Sequence, residues 1–413
     1  MAQPPITFYG AHWCPDCRRS KQFLGEHQIP YRWVDIEQDP EGERYVLEKN
    51  KGKRIIPTIE FPDGSILVEP SNAELAAKLG LKTKAQRRHY DLIAVGGGPA
   101  GLTAALYAAR EGIDTLVVER AALGGQAAIT ERLDNVPGFD EGVEGAIFGV
   151  KLRRQAERFG VELLQAQEVV KVYGHNNYQY IDTTDGSQYS ACALLLATGS
   201  RYRRLGAPGE ENYIGAGIHY CATCDGPFYK GLPVAVVGGG NSAAEESLFL
   251  VKFAERVTLL VRGEELKGSQ VIREKALNHP QVDVRFHTEA VEFHGQKGKL
   301  TGVTIRNNQT GATEEIHPAG VFLFIGQTPN TGFLKETRIR LDRWGYIVTG
   351  HDLVHGGECP DGYDKREPSV LETSIPGIFA AGDVRAGSTK QVASASGEGA
   401  TAALLIREYL KTI

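Results

Sequence analysis

One pattern occurs twice in this chain, and it constrains the fold more than any other feature. An apolar run is followed by a glycine-rich turn, a helix-forming stretch and a second apolar run. The first copy reads Tyr90–Val95, Gly96-Gly97-Gly98-Pro99-Ala100-Gly101, a helix through Leu102–Arg110 and a strand Thr115–Glu119. The second reads Pro233–Val237, Gly238-Gly239-Gly240-Asn241-Ser242-Ala243, a helix through Ala243–Phe253 and a strand Val257–Val261. A strand that turns abruptly into a helix aims the free N–H groups of that helix off the strand's end, where a pyrophosphate fits. In the first copy Gly96 permits the tight turn, Gly98 the approach of phosphate to backbone, and Gly101 the close packing of helix on strand. Glu119, ending the next strand, is placed for an adenosine ribose. In the second copy Gly238, Gly240 and Ala243 take the turn positions, and Asn241 and Ser242 within the turn are expected at the nucleotide. Arg262 stands where the acid would be, which favours a 2′-phosphate and so NADPH over NADH. The expected fold is α/β with two Rossmann-type units, one dinucleotide held permanently and one exchanging. The segment Gly377–Asp383 reads as a strand running into a turn, and Asp383 offers a carboxylate to the ribityl chain of a flavin.

At 413 residues the chain is long enough for two to four domains. A formal net charge of −5 argues against general binding to nucleic acid or an anionic membrane. No apolar run approaches the ~20 residues that span a bilayer, and MAQPPITFYG lacks the pattern of a signal peptide. A cytoplasmic location is expected. Residues 1–80 read β–α–β–α–β–β–α, with Ser71 and Glu74 spaced as a capping box ahead of the last helix. A basic stretch, 81–88, reads as a solvated linker. Residues 350–368 lack periodicity and read as a surface loop.

There are six cysteines, four of them in two C-x-x-C pairs. Such a pair holds two sulfurs close enough to alternate between dithiol and disulfide, and lowers one thiol pKa. Cys221 and Cys224 lie just before the second glycine turn, and Asp225, next to the pair, is a candidate for the proton exchange that disulfide chemistry needs. Cys14 and Cys17 lie between the first strand and the first helix, whose N-terminus favours the thiolate of Cys14, the more exposed of the two. Ile56-Pro57 is a candidate cis peptide beside them. A shared zinc site is disfavoured, because the pairs lie about two hundred residues apart rather than the usual ~15–20. His351, His355 and Cys359 have helical spacing, but Gly356 and Gly357 argue for loop residues, and no metal is expected. Cys192, inside the apolar run Ala191–Ala197, reads as a packed core thiol.

Residues 89–413 resemble the low-molecular-weight thioredoxin reductases. The matching segments are GGGPAG, Gly124-Gly125-Gln126, Asn135-Val136-Pro137-Gly138, Ala197-Thr198-Gly199, CATCDGPFYKG, GGGNSA, Gly326–Asn330 and GIFAAGDV. Residues 1–80 resemble the glutaredoxins, mycoredoxin-like ones especially, through WCPDC, Ile56-Pro57-Thr58 and FPDG. The resemblance implies a thioredoxin-like (glutaredoxin) domain at 1–80 and FAD in a discontinuous domain, 89–205 with 326–413. It implies an inserted NAD(P)H domain at 206–325 and a homodimer. It further implies that Cys224 faces the flavin, Cys221 is the interchange thiol, and Asp225 is the acid/base. Gln126, Asn135, Gln391 and Val392 are expected along the FAD. The family carries a His-Arg-Arg-x-x-x-Arg run for the 2′-phosphate. Here it is Val261-Arg262-Gly263, with Lys267 in the last arginine's place, which leaves NADH or a ferredoxin-type donor open. The expected activity is a relay from NAD(P)H through FAD and Cys221–Cys224 to Cys14–Cys17. From there electrons reach a disulfide such as thioredoxin, a peroxiredoxin or a mixed disulfide. A flavin-bound redox sensor is the alternative from another class.

Overall fold

The computed structural model describes residues 6–11, 13–27, 29–128, 130, 132–133, 135–175, 178–296, 298–354, 359–364 and 366–413, without the side chains of Arg18, Gln22, Glu26, Thr223 and Cys224. The chain forms two compact units. One comprises Met1–Ala128, Ala146–Gly199 and Thr331–Ile413, the other Ile129–Gly145 and Ser200–Asn330.

The first unit begins with a four-stranded sheet in the order Tyr31–Asp35, Ile6–Gly10, Thr58–Glu60, Ile66–Val68. Its central strand Ile6–Gly10 is buried at every position, because helices Pro15–Glu26, Pro40–Lys49 and Asn72–Lys78 accompany the sheet and its apolar side chains form one core. The capping box is present: Ser71 Oγ accepts from Glu74 N–H and the Glu74 carboxylate accepts from Ser71 N–H.

The basic stretch that follows departs from the expectation of a solvated connector. Its charged side chains face outward, but its backbone is bonded along its length to the sheet that follows. Lys82 O accepts from Gln165 N–H at 2.9 Å, Gln86 N–H donates to Glu162 at 2.7 Å, and Ala85 N–H reaches the Tyr189 hydroxyl at 3.3 Å. Arg88 O accepts from Ser190 N–H, and Arg87 pairs with Asp114 at 2.5 Å.

That sheet has the strand order Glu162–Leu164, Thr115–Val118, His89–Val95, Gln188–Leu196, with Ile378–Ala380 parallel to the last and two antiparallel strands extending the edge. Thr115–Val118 and Ile378–Ala380 are buried throughout, as parallel strands covered on both faces must be. The second unit repeats the plan: Ile218–His219, Gly320–Leu323, Pro233–Val237, Arg256–Leu260 and Val282–Arg285 lie parallel in that order. In both sheets the strand ahead of the glycine turn is central, with the next two strands stepping outward on one side. This is the α/β, doubly Rossmann-type architecture expected from the duplicated pattern, behind a thioredoxin-like domain. Among the described residues no helix is long and apolar enough to cross a membrane.

Two further readings of the sequence need correction. Cys192 is half-buried rather than a core thiol, because it falls on the alternate face of its strand, between the buried Ala191 and Ala193. The segment 350–368 is anchored rather than a plain surface loop. Tyr363 is buried and donates its hydroxyl to Thr373 O at 2.7 Å, and Arg366 forks onto Glu372 at 2.6 and 2.7 Å. Within this segment Cys359 is exposed and His351 lies 3.8 Å from Glu367, while His355 lies outside the described residues.

Candidate functional site

At the first glycine turn, Gly96 has φ +109° and a side chain there would strike Ala197 O at 2.3 Å. A methyl on Gly101 would lie 1.9 Å from Gly96 O, so helix Pro99–Arg110 sits directly on the turn. Gly98 differs. It caps that helix with no side-chain hydrogen bond, and a methyl there would meet only Gly125 Cα, at 3.9 Å. Packing therefore does not require glycine at 98, whereas close approach of a ligand does. Glu119 turns its carboxylate back to the same turn, accepting from Gly97 N–H at 2.6 Å and Ala121 N–H at 2.8 Å. Each oxygen keeps a lone pair for a ribose hydroxyl. Gln126 is exposed on the short helix Gly125–Ala128, and Asn135 is exposed within the second unit.

Asp383 follows the strand Ile378–Ala380. Burial raises its carboxyl pKa above the ordinary value, partly opposed by Lys390, and among the described residues nothing donates to the carboxylate. A half-buried carboxylate without a donor is suited to a ligand hydroxyl. Its turn is held by groups that sequence reasoning missed: Glu398 accepts from Gly382 N–H at 2.7 Å and pairs with Arg385 at 2.6 Å, and Lys390 Nζ donates to Asp383 O at 2.8 Å. Gln391 caps helix Val392–Leu410 at its start, and both Gln391 and Val392 are half-buried. The glycine cradle and Asp383 both fit an FAD.

The second turn has the same design. A methyl on Gly238 would lie 2.5 Å from Phe324 O, while one on Gly240, which caps helix Asn241–Leu250, would meet nothing within 4 Å. Asn241 Oδ1 accepts from Ser269 N–H at 3.1 Å, and Lys267 N–H donates to Gly239 O at 2.7 Å, folding the following loop over the turn. Ser242, the next residue, is exposed. The exposed Arg262 follows strand Arg256–Leu260, and its backbone O accepts from Asn308.

Cys221 is disulfide-bonded and half-buried; the side chain of Cys224 lies outside those described. Asp225, on the single turn Ala222–Asp225, is largely buried, and its Oδ2 lies 3.3 Å from His219 Nδ1. His219 Nε2 is 2.6 Å from the Tyr229 hydroxyl. Sequence reasoning picked out Asp225 but missed His219 and Tyr229; the only available signal was their nearness to the cysteines.

In the redoxin domain Cys14 caps helix Pro15–Glu26, its Sγ accepting from Cys17 N–H at 3.1 Å and donating to Ile56 O at 3.7 Å. Cys14 is the more exposed of the pair only by a small margin, 4% against 1%, so the access expected for it is narrow. Burial, followed by the hydrogen bond with Cys14, pushes the Cys17 thiol up to about 12. The Ile56-Pro57 peptide is cis, and Trp13, beside Cys14, is exposed.

These features can be compared with known proteins. Residues 90–399 match the family of pyridine nucleotide-disulphide oxidoreductases, and residues 6–66 match the glutaredoxins. A thioredoxin reductase of Treponema pallidum (strain Nichols) is 39% identical over 324 residues, 78% of this chain and 98% of that protein. The crystal structure of thioredoxin reductase from Streptococcus pyogenes MGAS5005 superposes with a TM-score of 0.70 at 36% identity, covering 79% of this chain and 99% of the other. The chain belongs to the thioredoxin reductase family. Thioredoxin reductase from Giardia duodenalis also matches, with a TM-score of 0.70 at 31% identity over 79% of this chain and all of that one. Members of the family are oxidoreductases acting on disulfides, with FAD and NADPH as cofactors, and here a glutaredoxin domain is fused at the N-terminus.

Proposed function

We propose that the chain is a self-contained disulfide-reducing relay. In it Gly96, Gly98, Gly101, Glu119, Gln126, Asn135, Asp383, Gln391 and Val392 hold FAD, and Gly238, Gly240, Asn241, Ser242 and Arg262 hold NAD(P)H. Bound FAD would supply the conversion of a hydride from the nicotinamide into two electrons for the Cys221–Cys224 disulfide. The remaining steps belong to the chain's own sulfurs. The Cys221 thiolate attacks the Cys14–Cys17 disulfide and releases the Cys17 thiolate, which takes a proton. Cys224 then attacks Cys221, regenerating the first disulfide and freeing Cys14. Its high pKa makes Cys17 a poor leaving thiolate unless protonated as it departs. The Cys14 thiolate, stabilised by Cys17 N–H, then reduces an external disulfide such as thioredoxin, a peroxiredoxin or a mixed disulfide.

One observation carries this reading: a disulfide at Cys221 beside the buried Asp225, and a second dithiol whose leading sulfur caps a helix, in the same chain. The bonded linker means that random-coil reach does not set the redoxin's effective concentration. Transfer between copies of a homodimer is therefore as open to the redoxin as transfer within one chain. Cys14→Ser is expected to leave flavin bleaching by NAD(P)H intact and to stop reduction of the external acceptor. Unchanged acceptor turnover in that variant would refute the relay. Mixing Cys14→Ser with Cys221→Ser chains tests transfer between copies: recovered turnover requires it.

A further inference from the structure

In the second unit a chain of polar groups begins at Asp225. His219 is 7% exposed at its side chain and Asp225 13%, and they meet at 3.3 Å. The other imidazole nitrogen meets Tyr229 at 2.6 Å. The ring lies against Phe322, centroids 5.3 Å apart, and Tyr229 also packs on Phe322. Gly320 is required for this arrangement, since a methyl there would sit 2.4 Å from the Tyr229 ring. Glu245 and Glu246, on the helix packed against the cysteine turn, interact with one another. Among the described residues, the polar groups that face the imidazole are Asp225 and Tyr229.

The chemistry of the three groups orders the hydrogens. An ionised carboxylate only accepts, so Nδ1 carries the hydrogen and donates to Asp225. In that tautomer Nε2 accepts from the Tyr229 hydroxyl. The logic is that of a carboxylate–imidazole–hydroxyl triad, but its reactive end is the carboxylate. We infer that His219 is a positioning residue for Asp225, and that His219 with Tyr229 connects Asp225 to the half-buried Tyr229 edge for proton exchange. This rests on the proposed role of Asp225 as acid/base. When the Cys221–Cys224 disulfide is reduced by the two electrons that bound FAD would supply, Asp225 protonates the departing sulfur, and it takes that proton back when the dithiol is reoxidised by the acceptor disulfide. That sulfur leaves with the electron pair of the broken S–S bond, so protons and electrons balance without another reactant. His219 holds the carboxylate oriented between these two transfers. When Asp225 is left in the wrong protonation state between turnovers, the imidazole and the phenol restore it.

The test uses the FAD-loaded full chain with Cys14 and Cys17 replaced by serine, so that new thiols report the Cys221–Cys224 pair. One equivalent of NADPH or NADH is added anaerobically, and thiols are counted by rapid quench from pH 5.5 to 9. His219→Gln keeps a hydrogen-bonding side chain but cannot titrate; Tyr229→Phe keeps the ring and loses the hydroxyl. Both should keep their flavin content and spectrum. Thiol formation should slow about tenfold in His219→Gln, less than the ~10²–10⁴-fold a general acid or base itself contributes, because the Asp225 carboxylate is kept, and its pH profile should be displaced; Tyr229→Phe should displace the profile with a smaller loss of rate. Asp225→Asn separates the two levels. If it is slow while His219→Gln and Tyr229→Phe follow the wild-type rate and profile, the inference fails and the acid/base role stands. If Asp225→Asn is as fast as wild type, both fail.

Discussion

Gly98 and Gly101 of the first turn should fail differently when given a methyl group. At Gly101 the added carbon would lie 1.9 Å from Gly96 O. Even a close C–H···O contact is about 3.3 Å, so the helix must retreat by roughly 1.4 Å. Overpacking of this kind costs about 1–3 kcal/mol, which for a unit of this size lowers Tm by roughly 2–12 °C. At Gly98 the nearest atom would be 3.9 Å away and φ is −78°, which alanine adopts freely. Losing glycine at a helix cap costs up to about 1 kcal/mol. Restricting the unfolded chain returns about 0.4–1 kcal/mol, so the FAD-free Gly98→Ala protein should melt within about 2 °C of wild type. On the proposed placement of FAD, the methyl would instead stand between the helix N-terminus and the pyrophosphate. Losing even one charge-assisted hydrogen bond, about 1.5–3 kcal/mol, weakens FAD at least tenfold.

The assay strips the flavin, follows FAD rebinding by fluorescence quenching and records Tm with and without FAD. Gly101→Ala should lose stability in both states, and Gly98→Ala only the increment that FAD confers. Wild-type FAD affinity in Gly98→Ala would refute the placement of the pyrophosphate, and an equal loss of FAD-free stability in both variants would refute the packing argument.

Further outcomes follow from other sites. Burial raises the Asp383 pKa, so its contribution to FAD-free stability is full below the unfolded carboxylate pKa and is lost as pH rises through the folded value. Asp383→Asn should therefore melt higher than wild type at pH 7 without FAD, with the gap closing on acidification, while binding FAD more weakly; FAD titration and melting across pH check both. Arg366→Ala leaves the fully buried Glu372 without its guanidinium partner, while the N–H groups of Ser369 and Gly377 still donate to it. Because Arg366 is itself partly exposed, the cost should be about 2–3 kcal/mol, below that of a fully buried pair, read as a lower denaturation midpoint. Arg262→Ala should raise KM for NADPH about tenfold, the loss of one charge-assisted contact, and leave KM for NADH unchanged; equal effects on both donors would place the 2′-phosphate elsewhere.

The fold was legible in the sequence because its signals are local and repeated. A strand, a glycine turn and a helix must appear as contiguous residues, and Gly96–Gly101 and Gly238–Ala243 announce two sheets built to one plan. Capping is equally local, so Ser71 and Glu74 could be paired from their spacing. Cys192 was misjudged because an apolar run such as Ala191–Ala197 marks a buried strand without saying which alternate side chains reach its core. The linker was misjudged because outward-facing charges say nothing of peptide groups. Its hydrogen bonds to Gln165, Glu162, Tyr189 and Ser190 span about 75 to 105 residues of sequence.

The same distinction separates the candidate residues from those that support them. Cys221, Asp225 and Cys14 belong to short motifs whose chemistry depends on adjacency, and adjacency is what a sequence records. Glu398 beneath the Asp383 turn acts from fifteen residues away, and its partner Arg385 is one of many arginines until the turn is built. His219 is subtler. It stands two residues from Cys221, near enough to notice, yet a histidine at the end of a strand is most often a packed one. Only the convergence of Nδ1 on Asp225 and Nε2 on Tyr229 gives it work, and that convergence requires Gly320, some hundred residues later, to leave room for the Tyr229 ring. If the triad holds Asp225 as inferred, Gly320→Ala, which displaces the Tyr229 ring and hydroxyl, should reproduce the displaced pH profile of Tyr229→Phe without removing any polar group. A Gly320→Ala enzyme with the wild-type profile would mean that the phenol is free to move without consequence for the carboxylate.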